Sequence, residues 1–329
     1  MRIGTAMAAL GVGLLVLHSP AVAQGGHNHG HGHKGHAHSH GDGHKHRAPA
    51  PVRKAAPPPQ AEDAHEHGID TEGLFGFVSG SDIGHRGEKH LSLFYETHFG
   101  KRDGTFRAQQ PKVEFGYNPT DWLHVALEFW GDHFKIRNVT DFDDQNRWGA
   151  GVAVEFKLQL VKRAPSSPVG LTLVVAPHYG NSEHHTGEAA RHYALELGLA
   201  ADTELVKDKL FAAFNLLYEP ERVRAKGEEE WERESLFGIS GALMAQIAPG
   251  VFAGGEVQYF RKYEGFFFNE FHGHALYVGP ALTVKTGEHT TFTLAWAAQI
   301  AGRAVDDPRR LDLDHFERHR VRARFSTHF

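Results

Sequence analysis

The chain of 329 residues contains no cysteine, and only 3 methionines. The missing thiol excludes disulfides, thiolate metal sites, cysteine nucleophiles and iron–sulfur clusters. The net charge of −5 comes from 35 basic and 40 acidic side chains, so no field of one sign implies nucleic-acid binding. After the N-terminal apolar run, no stretch approaches the roughly 20 uncharged residues of a membrane-spanning helix. If the protein lies in a membrane, it crosses that membrane as strands.

The N-terminus has the pattern of a secretory signal. Arg2 precedes an apolar run over residues 6–17, and the small residues Ala21-Val22-Ala23 follow it. We therefore expect a signal peptide over residues 1–23 and a mature chain that begins near Gln24, outside the cytoplasm.

Histidine and glycine are both abundant, with 27 and 37 residues. Residues 24–47 are rich in His, Gly, Ala and Ser and cannot bury a core, so we predict a disordered tail. Residues 48–71 follow as a Pro-rich linker that contains a second small His cluster. The predicted metal ligands of the two segments are His27, His29, His31, His33, His36, His38, His40, His44, His46, His65 and His67.

Imidazole binds Zn²⁺, Ni²⁺, Co²⁺ and Cu²⁺, and a flexible chain with alternating His can wrap several nitrogens around one ion. The tail resembles the His-rich segments of zinc, nickel and cobalt transporters and of periplasmic metal carriers, a likeness of composition alone. It implies metal capture or buffering, with the ion unspecified. The alternative is a low-complexity linker whose metal affinity is incidental.

From residue 89 the sequence alternates between apolar and polar positions, as in residues 152–160. Twelve such runs are joined by turns that are alternately short and long, which is the plan of an up-and-down outer-membrane barrel over residues 72–329. The predicted strands lie near 89–99, 106–118, 122–137, 147–160, 169–179, 190–202, 208–219, 235–247, 251–262, 272–286, 289–300 and 316–329.

The apolar face could instead be hidden inside a soluble β-sandwich or lipocalin-like barrel. Twelve strands enclose a lumen too wide for side chains alone to fill, which favours an apolar exterior in lipid and water inside. Phe329 closes the last amphipathic run and resembles the signal by which the barrel assembly machinery recognises such proteins. The aromatic residues expected near the membrane interfaces are Tyr117, Trp122, Trp148, Tyr179, Tyr218, Tyr259 and Tyr277.

If the apolar positions face lipid, the opposite positions line the lumen. The principal candidates are His90, Glu96, His98, His124, Glu128, Asp132, Arg318, Arg320, Arg322 and Arg324. These charges could create a field for passing ions, or could pair and plug the pore. His124 and Glu128 lie about 13 Å apart along one strand and cannot share an ion without partners from other strands. His184 and His185, beside Glu183 in a long loop, are either surface metal ligands or ordinary loop polarity.

Residues 72–329 resemble uncharacterised proteobacterial outer-membrane barrels of the transporter type, through Phe75-Gly76-Phe77, Ser81-Asp82 and the segment 211–221. The resemblance implies a small-solute channel. Both ends of an even-stranded barrel lie on the same side, so with periplasmic short turns we expect the His-rich tail in the periplasm. The leading hypothesis is an outer-membrane channel for divalent metal ions or small solutes, with an inner-membrane or periplasmic metal-transport protein as a possible partner. Alternatives are a non-conducting, membrane-anchored metal reservoir or an envelope sensor and, less favoured, a barrel lipid hydrolase. An enzyme is not expected, since Gly238-Ile239-Ser240-Gly241-Ala242 lacks the final Gly of a nucleophile elbow and lies in a strand.

The tail generates the first testable prediction. Titration of the protein with Zn²⁺ should show several ions bound per chain, and these ions should be released as the pH falls below the ordinary imidazole pKa of about 6.5. Replacing the nine His of residues 27–46 by Ser should remove most of this binding. Unchanged binding in that variant, measured by calorimetry, would exclude the tail as the metal-binding segment.

Overall fold

The computed structural model describes residues 69–287 and 289–329. Twelve antiparallel strands form one closed barrel, in which each strand pairs with its neighbours in the chain and the first pairs with the last. The predicted fold class, an antiparallel barrel of twelve strands, is therefore confirmed. The strands are β1 Lys89–Phe99, β2 Thr105–Thr120, β3 Leu123–Arg137, β4 Gln145–Val161, β5 Val169–Ser182, β6 Ala189–Val206, β7 Leu210–Ala225, β8 Glu232–Ala248, β9 Val251–Glu264, β10 Glu270–Lys285, β11 Thr290–Ala304 and β12 His319–His328.

The barrel carries its polar side chains inside and its large apolar side chains outside. On β3, His124 and Glu128 are buried, whereas Leu127 and Phe129 expose 40% and 44% of their surface. This is the reverse of a soluble β-protein, in which the apolar face is the buried one. No helix in residues 69–287 or 289–329 is long and apolar enough to span a membrane.

Two features near the last strand differ from the sequence-based expectation. The predicted strand at 316–329 begins only at His319, because residues 311–317 turn inward and bury Leu313 and Phe316. Tyr277, expected at an outer interface, is 1% exposed, and its hydroxyl donates to the Glu317 carbonyl. It shares strand parity with the buried Thr283 on β10, so it faces the lumen.

Residues 69–84 pass through the lumen instead of contributing a strand, and we call this segment the plug. It contacts β2 near Asn118, β6 at Asp202, and β10 at Thr283 and Lys285. These residues lie next to the short connections between strands, which define the short-turn end of the barrel. The plug includes residues 69–71, which the sequence pattern placed in the linker.

An apolar cluster fastens the plug to the barrel wall. Leu74 and Phe75 are completely buried and pack against Phe211, Met244 and Phe252 from β7, β8 and β9. At the neighbouring position 76, a Cβ atom would lie 2.3 Å from the Cβ of Ala295 on β11, so only glycine permits the backbone to come this close. Residues 74–76 of the plug are thus closely packed against the barrel wall.

The packing predicts that Phe75→Ala releases the plug while leaving the barrel intact. Removal of a buried Phe side chain costs about 3 kcal/mol or more, so amide hydrogen exchange in residues 71–82 should accelerate on the order of 100-fold. Phe267→Ala, at a loop position that is 82% exposed, is the matched control and should not change exchange. Equal plug protection in the two variants would contradict the packing role of Phe75.

Candidate functional site

The lumen above the plug contains a cavity of about 470 Å³ with two unlike walls. One wall, built from β1 to β4 and β12, carries Glu96, His98, Lys112, Glu128, Arg320 and Arg322. The other includes the apolar side chains of Leu236, Phe260, Tyr277 and Phe316. A small charged or polar solute therefore meets ionic partners on the first wall, and apolar side chains interspersed with Gln258 and Lys262 on the second.

The acidic and basic side chains predicted to line the lumen are paired with one another. Arg322 Nε lies 2.6 Å from a carboxylate oxygen of Glu96, and Lys112 Nζ lies 2.9 Å from Glu128. Glu96 also lies 3.4 Å from His98. Pairing lowers the cost of removing these charges from bulk water, so much of the lumen charge is internally compensated.

The predicted arginine ladder on the last strand is present over three of its four positions. Arg322 and Arg324 donate to plug carbonyls, including those of Gly76 and Glu72, at 3.3 and 3.1 Å. Arg320 donates to Gln258 at 3.0 Å. Arg318 differs from the expectation: it is exposed and precedes β12, because the inward turn of residues 311–317 interrupts the alternation just before it.

Buried carboxylates hold the main chain of the plug. Glu256 on β9 accepts hydrogen bonds from the backbone N–H groups of Gly76 and Phe77, both at 2.7 Å. Asp202 on β6 accepts from the Ser81 N–H and from the Thr71 hydroxyl. Hydrogen bonds to ionised groups are about twice as strong as neutral ones, so these two carboxylates are the principal polar anchors of the plug.

Two predicted lumen histidines come together with the plug at the short-turn end. Ligand atoms of Glu72, His90 and His124 lie within 4.8 Å of one another, as do those of Glu114, His124 and Glu155. The acidic neighbours of His124 therefore lie on the plug and on other strands, and Glu128 is not among them. Burial acts to raise the pKa of Glu72, but nearby His90 and Lys157 hold it at about 2.

The remaining predicted residues are placed as follows. Asp132 accepts hydrogen bonds from Gln110 at 2.8 Å and from the Trp130 indole at 3.1 Å. His184 and His185 of the β5–β6 loop line the cavity instead of extending into solvent. The eleven predicted metal ligands from His27 to His67, together with residues 1–23, lie outside the described residues.

The plug was missed by the sequence analysis, and so was His178 on β5, which lines the cavity near His184. The available signal for the plug was the apolar cluster Leu74, Phe75, Phe77 and Val78, which precedes the first strand and does not alternate with polar residues. Such a cluster indicates that these residues are buried. The surface against which they pack exists only in the closed barrel, so the sequence alone does not identify it.

Residues 67–329 match the model of a family of unknown function, DUF6662. The chain belongs to the DUF6662 family. The match spans the plug and all twelve strands of this DUF6662 protein. No curated protein sequence matches the chain.

Solved structures with the same architecture are outer-membrane proteins of low sequence identity. The DUF6662 chain is 11% identical to an outer-membrane channel from Pseudomonas putida F1, with a TM-score of 0.54 over 76% of this chain and 98% of that one. It is 10% identical to the β domain of the Bordetella autotransporter BrkA, with a TM-score of 0.50 over 74% of this chain and 100% of that one. The likeness shows the outer-membrane barrel fold.

The surroundings of Asp82 predict that docking of the plug depends on pH. Its carboxylate accepts from Thr71 and from Arg163, at 3.0 and 2.9 Å. Burial and the nearby Asp70 raise the pKa of Asp82 to about 6, although Arg163 acts in the opposite direction and Asp202 adds to the increase. Because the docked plug holds this proton more tightly than a free Asp does, this contribution to docking is complete below pH 4 and is lost as the pH rises through 6.

We therefore expect plug protection factors in hydrogen exchange to fall roughly tenfold between pH 4.5 and pH 7. Asp82→Asn, which cannot ionise, should reduce this change, and comparison with it separates Asp82 from other titrating groups. The depressed pKa of Glu72 acts below pH 4.5, outside this window. Identical pH profiles for the variant and the wild type would rule out Asp82 as the cause.

Proposed function

We propose that this protein is an outer-membrane channel for small ionic solutes, divalent metal ions above all, and that the plug closes it at rest. The observation that carries the proposal is the charged cavity of about 470 Å³ inside a closed barrel whose exterior is apolar. A cavity of this size accommodates a hydrated ion or a small solute. The proposal includes no enzymatic activity.

The outward apolar face supports a location in lipid. Strand-end aromatic residues such as Trp122 and Trp148 expose 54% and 63% of their surface, as expected of side chains at a membrane interface. In this proposal the barrel assembly machinery inserts the chain into the outer membrane of a Gram-negative cell. The short-turn end faces the periplasm, and the His-rich tail before the plug captures or buffers Zn²⁺, Ni²⁺, Co²⁺ or Cu²⁺ there.

The contacts of the plug are suited to reversible release. Glu256 and Asn215 bind its backbone through side chains, so no barrel strand has to separate when the plug leaves. Carboxylates that lose these partners can be hydrated by water entering the lumen. Release of the plug would join the cavity to the short-turn end and open a path lined by charged residues.

The preference for divalent cations rests on the composition of the cavity wall. Its acidic groups include Glu196, Glu219 and Glu221, and Glu219 lies 3.4 Å from His178. Carboxylates and imidazoles are the oxygen and nitrogen donors of divalent metals. A cation that moved along this wall would meet such donors in succession.

A second candidate is a non-conducting anchor that displays the metal-binding tail. It is favoured by the extent of plug contacts, which reach from Asn118 on β2 to Arg324 on β12. A plug held so firmly could be a permanent part of the wall. The channel would conduct ions across the membrane, and the anchor would not.

Single-channel recording in planar bilayers tests the proposal. Glu256→Ala removes two charge-assisted hydrogen bonds to the plug and should raise the open probability roughly tenfold or more. Glu264→Ala, which changes a 62% exposed side chain, is the matched control and should behave as wild type.

The absence of native cysteine permits a complementary locking experiment. Asn215 both donates to and accepts from the Ser79 backbone, so the double variant Ser79→Cys and Asn215→Cys should tether the plug when oxidised. Openings should disappear on oxidation and return on reduction. A barrel that stays silent in Glu256→Ala and in the reduced tether would overturn the channel proposal and leave the anchor.

A further inference from the structure

Three histidines meet at the end of the cavity opposite the plug. They are His178 on β5, His184 in the β5–β6 loop and His192 on β6. One ring nitrogen from each lies within 4.8 Å of the other two. The ring centroids of His184 and His192 are 4.6 Å apart, and those of His178 and His192 are 5.6 Å apart. This cluster, which we call the three-His cluster, is distant in the sequence from the predicted tail ligands.

His192 is oriented as a metal-binding histidine would be. Its side chain is 1% exposed, and its Nε2 lies 2.7 Å from a Glu221 carboxylate oxygen. When the Glu221 carboxylate accepts a hydrogen bond from Nε2–H, the neutral ring keeps that proton and its free lone pair lies on Nδ1. Nδ1 is buried and has no hydrogen-bond partner among the described residues. Metal-binding histidines commonly donate one ring N–H to a carboxylate and coordinate the ion through the other ring nitrogen.

His178 and His184 are also placed to coordinate an ion. A Glu219 carboxylate lies 3.4 Å from Nε2 of His178, so a second acid–histidine pair is present. His184 lines the cavity beside them, and one of its ring nitrogens lies within 4.8 Å of a ring nitrogen of each of the other two. Neutral imidazole is the form that coordinates metal ions.

The cluster at the plug also contains a buried ring nitrogen without a hydrogen-bond partner, His124 Nε2, but its carboxylate already has a basic partner. There Lys157 Nζ lies 3.6 Å from Glu72, and an ammonium already compensates the carboxylate that a metal would need. In the three-His cluster, the buried Nδ1 of His192 destabilises the fold until a partner satisfies it. A bound cation would supply that partner and would also be coordinated by His178 and His184.

We propose that His178, His184 and His192 bind one divalent transition-metal ion, of the class Zn²⁺, Ni²⁺, Co²⁺ or Cu²⁺. His178 and His184 both line the cavity, so the ion would keep a position open toward the lumen. Zn–N bonds of about 2.1 Å in a tetrahedral site separate the nitrogens by roughly 3.4 Å, so the rings would close inward by about 1 Å. His184 is on a loop and can make this adjustment. The inference goes beyond the proposed function, because it requires neither conduction nor the tail.

Metal titration of the full chain tests the site in a background where all eleven His from His27 to His67 are replaced by Ser. Addition of Co²⁺ should produce the visible absorption of a nitrogen-ligated ion, and Zn²⁺ should displace it at one equivalent. His184→Ala should weaken Co²⁺ binding at least roughly tenfold, and Glu221→Gln should weaken it by about 10–100-fold through loss of the carboxylate that orients His192.

His133→Ala is the matched control, because His133 stacks on Trp148 and lies outside the three-His cluster. It should bind Co²⁺ as the Ser background does. Resistance of each folded barrel to unfolding in detergent verifies that the variants retain the fold. Equal Co²⁺ affinity in His184→Ala, Glu221→Gln and His133→Ala, or no binding in the Ser background, would overturn the site. Binding in a barrel that does not conduct would reject the channel proposal alone.

Discussion

Pairing of β1 with β12 is the constraint on which the rest of the structure depends. Their register, from His90 opposite His328 to Phe99 opposite His319, closes the sheet and leaves no unpaired edge. A closed antiparallel sheet has an inside and an outside, and strand alternation assigns every side chain to one of them. Once the apolar side chains are outside, the polar set of all twelve strands must share one lumen.

This crowding of charged groups explains the two kinds of interior contact. Pairs such as Glu96 with Arg322 compensate one another across neighbouring strands. Other groups, including Glu256 and Asp202, are compensated by the N–H groups and hydroxyls of the plug. The plug therefore supplies hydrogen-bond partners to polar groups that water in a narrow lumen would hydrate poorly. In the proposed channel, water or ions would have to replace those contacts before the barrel conducts, so opening would depend on the strength of a few hydrogen bonds.

The sequence predicted the strands well because alternation is a local property. The inward direction of His90, His124 and Glu128 follows from neighbours one residue away, and the structure buries all three. Arg318 and Tyr277 show the limits of the same approach. Arg318 lies where the chain leaves the strand pattern, and the interface position expected for Tyr277 ignored the parity of its own strand. The partners of His124, on the plug and on β2 and β4, required the closed barrel.

By itself, the sequence determined the number of strands, the alternation of turns and loops, and the division of each strand into an apolar and a polar face. These follow from side-chain periodicity and from turn chemistry, which act over a few residues. Only the tertiary structure decided that residues 69–84 enter the lumen, and that His178, His184 and His192 converge at its other end. Such contacts join residues far apart in the chain, and their geometry depends on the register and diameter of the closed sheet. Short-range patterns give the strand count, and with it the approximate diameter, but they do not specify the register between strands.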